Sequence, residues 1–246
     1  MKKIFLFIFI FIFIPSFLFL QAEPQEFEED IIPTHQGDLK INFIGHGTLM
    51  FHFGGKVIHV DPVSRYADYS QLPKADLILI THSHGDHLDP DVVKKLRQKE
   101  TDVVLTEKCA REIKGGLIME NGDTKTVQGI KIEAVPAYNI KHKRSSGVPY
   151  HPKGDGNGYI LHLGDKRVYV AGDTENTPEM KSLQDIDIAF FPMNLPYTMS
   201  PEMAADAAKT IQPDILYPYH YGSTDTSKIV KMLEEEDIEV RIRNMK

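Results

Sequence analysis

In Asp76-Leu77-Ile78-Leu79-Ile80-Thr81-His82-Ser83-His84-Gly85-Asp86-His87, an apolar run passes without a break into a cluster of metal-ligating side chains. The first half is short, apolar and β-branched, which reads as a strand buried on both faces. The second half holds four candidate ligands in six residues. In a tight loop, His82 and His84 can turn their imidazoles toward one point, while Asp86 and His87 address a neighbouring point. Neutral imidazole suits zinc and other late divalent metals, and carboxylate adds hard oxygen character.

Two more candidates lie downstream, each after a predicted apolar strand. Asp173 stands in Ala171-Gly172-Asp173-Thr174, and His220 in Tyr219-His220-Tyr221-Gly222. Either alone is weak evidence. With the histidine-rich loop, they place ligands at strand ends from which side chains reach a crevice at the sheet edge.

Working outward, Leu39–Ile44 and Thr48–Phe53 flank a Gly-His-Gly turn, and Gly54-Gly55 signals a hairpin into Lys56–Val60, which ends in Asp61. A strand at Val103–Thr106, a helix over Glu107–Lys114 and a pair of strands around Gly129 follow. An irregular loop runs from Ala137 to Gly156, then a hairpin around Gly164-Asp165 and a strand at Ile186–Phe191. Ser200-Pro201-Glu202 opens a helix through Ile211, with serine as its cap. The strand Asp214–Tyr219, a helix over Thr226–Glu236 and a strand at Ile238–Ile242 complete the pattern. Strands first, then helix–strand alternation, suits an α/β fold of two packed sheets covered by helices.

The expected organisation is a leader over 1–22, an acidic linker over 23–38 and one folded domain over 39–246. Met1-Lys2-Lys3, the apolar run from Ile4 and a small residue at Ala22 form a secretory signal pattern. The competing reading is an uncleaved anchor. Both put the body outside the cytoplasm, in the periplasm or beyond, with the membrane involved only through this segment. The formal charge is −7; without Lys2 and Lys3 the balance is 26 basic against 35 acidic residues, or −9. Such a body repels a phosphate backbone, which argues against nucleic acid. Lys141, His142, Lys143 and Arg144 form the one basic cluster, read either as a solvated loop or as an attractor for an anionic substrate. Cys109, the single cysteine, allows no intramolecular disulfide and reads as a small buried hydrophobe.

The series His-x-His-x-Asp-His, Gly-Asp at a strand end and a late Tyr-His-Tyr-Gly resembles the metallo-β-lactamase fold superfamily from about Leu39 to Ile242. Ile44-Gly45-His46-Gly47-Thr48 is similar to the Gly-His-Ala/Ser-Thr opening of one branch. That branch includes N-acyl-phosphatidylethanolamine phospholipase D and the ascorbate-6-phosphate lactonase group. The resemblance implies a four-layer αββα sandwich with one or two divalent ions, zinc ahead of manganese, between the sheet edges. It implies His82 and His84 on the first metal, Asp86, His87 and His220 on the second, and Asp173 bridging both. Asp61 then supports the site from behind, and Asp86 acts as the catalytic group. His46 either braces the metal loop or caps its turn.

One position departs from this pattern. The first metal normally gains a third histidine from Pro-Ala-x-His, and here the segment is Pro136-Ala137-Tyr138-Asn139. Three outcomes stand open: Asn139 ligates weakly, His142 or His151 swings in, or the first site is empty. His151 reads equally as a site-facing residue or as surface decoration. The implied function is metal-dependent hydrolysis of a small anionic phosphodiester, phosphorylated lactone or other ester. The alternative is a non-catalytic metal-binding envelope protein, a sensor or assembly subunit.

Overall fold

Among the described residues, the apolar runs singled out as strands form strands, and these pair in the order in which they occur. The computed structural model describes residues 25–246, so the leader read over 1–22 lies outside the described residues. One sheet holds β1 (Glu28–Ile32), β2 (Leu39–Gly45), β3 (Thr48–Phe53), β4 (Lys56–Val60), β5 (Leu77–Leu79), β6 (Asp102–Leu105) and β7 (Leu117–Ile118). The other holds β8 (Thr124–Val127), β9 (Ile130–Ala137), β10 (Gly156–Leu163), β11 (Lys166–Val170), β12 (Ile188–Pro192), β13 (Ile215–Tyr219) and β14 (Glu239–Val240). In each sheet the first four strands are antiparallel and the rest continue in parallel. The two halves therefore repeat one topology.

β5 shows how the layers arise. Leu77 and Leu79 join the core between the sheets, while Ile78 and Ile80 face the opposite way. There they meet Val92, Val93 and Leu96 of α1 (Pro90–Leu96). On the far side, α2 (Pro178–Lys181), α3 (Pro201–Ile211) and α4 (Ser227–Met232) bring Met180, Ala204, Ala208 and Ile229 to the second sheet. The result is the expected α/β sandwich, two mixed sheets between helices. The inter-sheet core is anchored by aromatic contacts, Phe43 to Tyr217 at 5.0 Å and Phe190 stacked on Tyr217 at 5.0 Å.

Three local expectations change. Part of the segment read as linker, Glu28–Ile32, is the edge strand β1, paired with β2 and held through Asp30 by Tyr217, Arg241 and Arg243. The helix expected over Glu107–Lys114 is only a single 3₁₀ turn at Cys109–Arg111. Its connection is short and runs straight into Gly115-Gly116, where a Cβ on Gly116 would meet the Leu105 side chain at 2.6 Å. The helix expected to reach Glu236 stops at Met232, before Glu234, Glu235 and Glu236, whose charges oppose the helix dipole at a C-terminus.

Candidate metal centre

The parallel strands of both sheets deliver their C-terminal ends to one crevice. β4 is followed directly by Asp61, at a left-handed φ of 44°, whose side chain is buried in the protein. Its carboxylate accepts from the Thr81 N–H at 2.7 Å, from the Thr81 hydroxyl at 2.5 Å and from His87 Nδ1 at 2.8 Å. The last bond fixes the imidazole tautomer and leaves the His87 Nε2 lone pair free, as a supporting group for a metal ligand should. Gly47 is needed here for space, since a Cβ would lie 2.6 Å from the His87 ring.

β11 is followed by Ala171-Gly172-Asp173, and the Asp173 carboxylate sits in the middle of the histidines. His82 Nε2 is 3.8 Å from it, His151 Nε2 3.2 Å, His87 Nε2 3.4 Å and His220 Nε2 3.3 Å. His82, His84 and His151 form one group with converging ligand atoms; His46, Asp86, His87 and His220 form another. A third grouping, His82, His87 and Asp173, joins them. His220 has a left-handed φ of 48°, and its N–H donates to the carbonyl of His46, itself left-handed at 54°. The His46 ring lies 3.7 Å from that of His220, stacks on Tyr66 and sits 3.4 Å from the Asp86 carboxylate. Of the two roles read for His46, bracing the metal loop is the one its contacts fit.

Electrostatics favour cation binding. Burial pushes the His82 imidazole well below its ordinary range, into the neutral, ligating form. Burial also opposes charge on Asp173, yet His220 and His87 hold its carboxyl well below the usual carboxylate range. Asp86 is likewise held low against burial, by His220 and His46. Burial disfavours a charge on His87, but Asp173 and then Asp61 hold its pKa up at about 9, so positive charge is wanted at its free Nε2.

The donor set fits a metal. His82 Nε2, His87 Nε2, His220 Nε2 and Asp173 Oδ1 are buried without hydrogen-bond partners. Each such orphan costs about 1–3 kcal/mol. Four turned toward one place make sense when cations take their lone pairs.

The departing position is resolved by geometry. Asn139 does not turn to the metal group; its Oδ1 accepts from the His151 N–H at 2.7 Å and from His151 Nδ1 at 2.8 Å. His151 joins His82 and His84, while the His142 ring turns to Glu175 at 2.8 Å. Two adjoining cavities of 210 and 420 Å³ open onto the centre, both lined by His84, Arg144, Tyr150, His151 and Asp173. Of the basic cluster read on this loop, Arg144 reaches the cavities, lying 5.0 Å over the Tyr150 ring; Lys153, further along the loop, is paired with Glu179. Asn194 and Tyr197, on the stretch after β12, line the larger cavity. Sequence reasoning missed Tyr66, Tyr150 and Glu175. For Glu175 a signal existed, a second carboxylate two residues after Asp173 in Gly172-Asp173-Thr174-Glu175.

Residues 40–220 match the family described as Beta-lactamase superfamily domain. The chain is 34% identical to a UPF0173 metal-dependent hydrolase from Thermococcus onnurineus over 75% of its own length and 85% of that protein. A crystal structure of a metal-dependent hydrolase from Parabacteroides distasonis is 49% identical, with a TM-score of 0.86 over 90% of this chain and all of that one. Igni18, a metallo hydrolase from Ignicoccus hospitalis, is 25% identical, with a TM-score of 0.68 over 83% and 94%.

Proposed function

We propose that this chain, which belongs to the beta-lactamase superfamily and is a metal-dependent hydrolase of the metallo-β-lactamase fold, works through a two-metal centre on a small ester-type substrate carrying an anionic group. The observation that carries the two-metal reading is the Asp173 carboxylate standing between two groups of histidines. His82, His84 and His151 would hold the first ion; Asp86, His87 and His220 the second; Asp173 both. Zinc suits five imidazoles and two carboxylates, with manganese second.

When bound, divalent ions lower the pKa of a bound water toward ~7 and polarise the carbonyl or phosphoryl oxygen under attack. The chain supplies the rest. Asp86, with about a third of its side chain exposed (34%), faces the larger cavity as an ionised carboxylate held by His46. It takes the proton of the attacking water and returns it to the leaving-group oxygen. Arg144, lying over the Tyr150 ring, meets the anionic group of the substrate. Four exposed apolar residues, Ile140, Val148, Leu195 and Tyr197, lie on the two loops bordering the cavities and suit a substrate with an apolar portion. Phosphodiesters and phosphorylated lactones have the required chemistry. The leader over 1–22 supports action outside the cytoplasm.

The non-catalytic alternative rested on the histidine missing at 139; with His151 beside His82 and His84, that ground is gone. The test is a panel of chromogenic phosphodiesters, phosphorylated lactones, carboxylic esters and nitrocefin, run before and after chelation. Turnover should appear on an anionic ester and vanish with the metal. Asp86→Ala, with metal still bound, should lose about 100- to 10,000-fold in kcat. Turnover of nitrocefin alone, or full activity in the Asp86 variant, would overturn the reading.

A further inference from the structure

We propose that Glu175 is a positioning residue for the first metal, setting through Asn139 the tautomer in which His151 can ligate; this rests on the two-metal reading above. Glu175 follows Asp173 on the same stretch and is fully buried. Its carboxylate is ringed by donors. The N–H groups of Ile140 and Lys141 reach one oxygen at 3.0 and 2.8 Å. The N–H of His142 reaches the other at 2.7 Å; His142 Nδ1 lies 2.8 Å from the same carboxylate but makes no hydrogen bond. One further donor completes the set, the Asn139 side-chain amide at 3.2 Å, which also donates to the Tyr197 carbonyl at 2.8 Å.

That last contact decides the orientation of the amide. A carboxylate accepts and cannot donate, so Nδ2 of Asn139 must face Glu175 and Tyr197, and Oδ1 must face the other way. Oδ1 then meets two hydrogens, the backbone N–H and the ring Nδ1–H of His151. With its proton on Nδ1, His151 carries its lone pair on Nε2. That nitrogen is 3.1 Å from His84 Nδ1 and 3.2 Å from Asp173. The chain of logic runs from a buried acceptor, to an amide orientation, to a tautomer, to a ligand. It also explains how asparagine replaces histidine at 139 without loss of the site: the imidazole arrives from the opposite side of the loop, and the asparagine aims it. In Glu175→Gln the new amide sets a donor against other donors. Asn139 then keeps only the Tyr197 carbonyl as acceptor for its Nδ2, so the amide that aims His151 through Nδ1 is held less firmly and the ligating tautomer loses support.

The experiment titrates the chelator-stripped full chain with zinc against a chromophoric chelator. Wild type should take two ions. Glu175→Gln should weaken one of them about 10- to 100-fold and leave the other unchanged. His151→Ala should weaken the same ion, and the double variant should be no worse than His151→Ala alone, because both changes break one chain. Should Glu175→Gln fail to fold, Asn139→Ala carries the test, with the same expected loss. Wild-type affinities in the variant that folds, or a loss that adds in full to that of His151→Ala, would overturn the proposal while sparing the two-metal reading. A wild type that takes fewer than two ions would overturn both.

Discussion

Asp61 fixes the imidazole of His87, which would ligate the second ion. Its carboxylate is almost wholly buried, at 1% exposure, and spends its acceptor capacity on Thr81 and His87. An asparagine there keeps the shape but has one acceptor oxygen, so its NH₂ must face a donor. Asp61→Asn is therefore expected to weaken the ion held by His87 about 10- to 100-fold and to spare the ion held by His82, the reverse of the pattern expected of Glu175→Gln. Unchanged zinc competition in this variant would show that His87 needs no support. At this scale the sequence was highly informative. His82, His84, Asp86, His87, Asp173 and His220 are short-range motif residues, and the structure brings them together. Asn139 and His151 were ambiguous because a hydrogen-bond orientation, not a residue type, distinguishes their roles. Glu175 carried only the signal of its place two residues after Asp173, because nothing local marks a carboxylate as caged by backbone N–H groups.

Elements were legible where hydrophobic patterning set them and illegible where connection length did. β5 could be read from five apolar and β-branched residues because it is buried on both faces. The turn at Cys109–Arg111 has helical composition but no room for more than one turn. β4 carries a separate consequence for stability. His59, fully buried, donates from Nε2 to the Pro73 carbonyl at 3.1 Å, while its Nδ1 has no partner. A second proton would be buried unpaired, and burial accordingly depresses its pKa to about 4. The unfolded chain, with an ordinary histidine near ~6.5, takes up a proton that the folded chain refuses. Stability is therefore unaffected above that value and falls as pH drops from ~6.5 toward 4, by at most roughly 3 kcal/mol. His59→Gln, which keeps a donor for Pro73, should flatten the difference between urea midpoints at neutral pH and near pH 4.5 relative to wild type. An equal acid loss in both proteins would remove His59 as a cause.

The whole molecule is two copies of one topology, four antiparallel strands continued by parallel ones, and this was hidden from the sequence. The copies share strand order rather than residues. Asp61 and Asp173 nevertheless follow the fourth strand of their respective halves. One became a support and the other a bridge, so the correspondence lies in position rather than chemistry. The centre draws His82, His84, Asp86 and His87 from the first half and His151, Asp173 and His220 from the second. Metal binding is then a clamp across the sandwich, and its free energy is available only when both halves are folded and docked. At a free zinc concentration 1,000 times Kd, binding contributes about 4 kcal/mol. For a domain of this size that corresponds to a melting shift on the order of 10 °C. Chelation should lower Tm by that amount in wild type. In Asp173→Ala, which removes the one side chain shared by both groups, chelation should lower Tm far less, while the metal-free forms of the two proteins melt closer together. If chelation leaves wild-type Tm unmoved although zinc is shown to leave, the two halves are docked by the Phe43, Phe190 and Tyr217 core alone and the metal is catalytic cargo on a sandwich already closed.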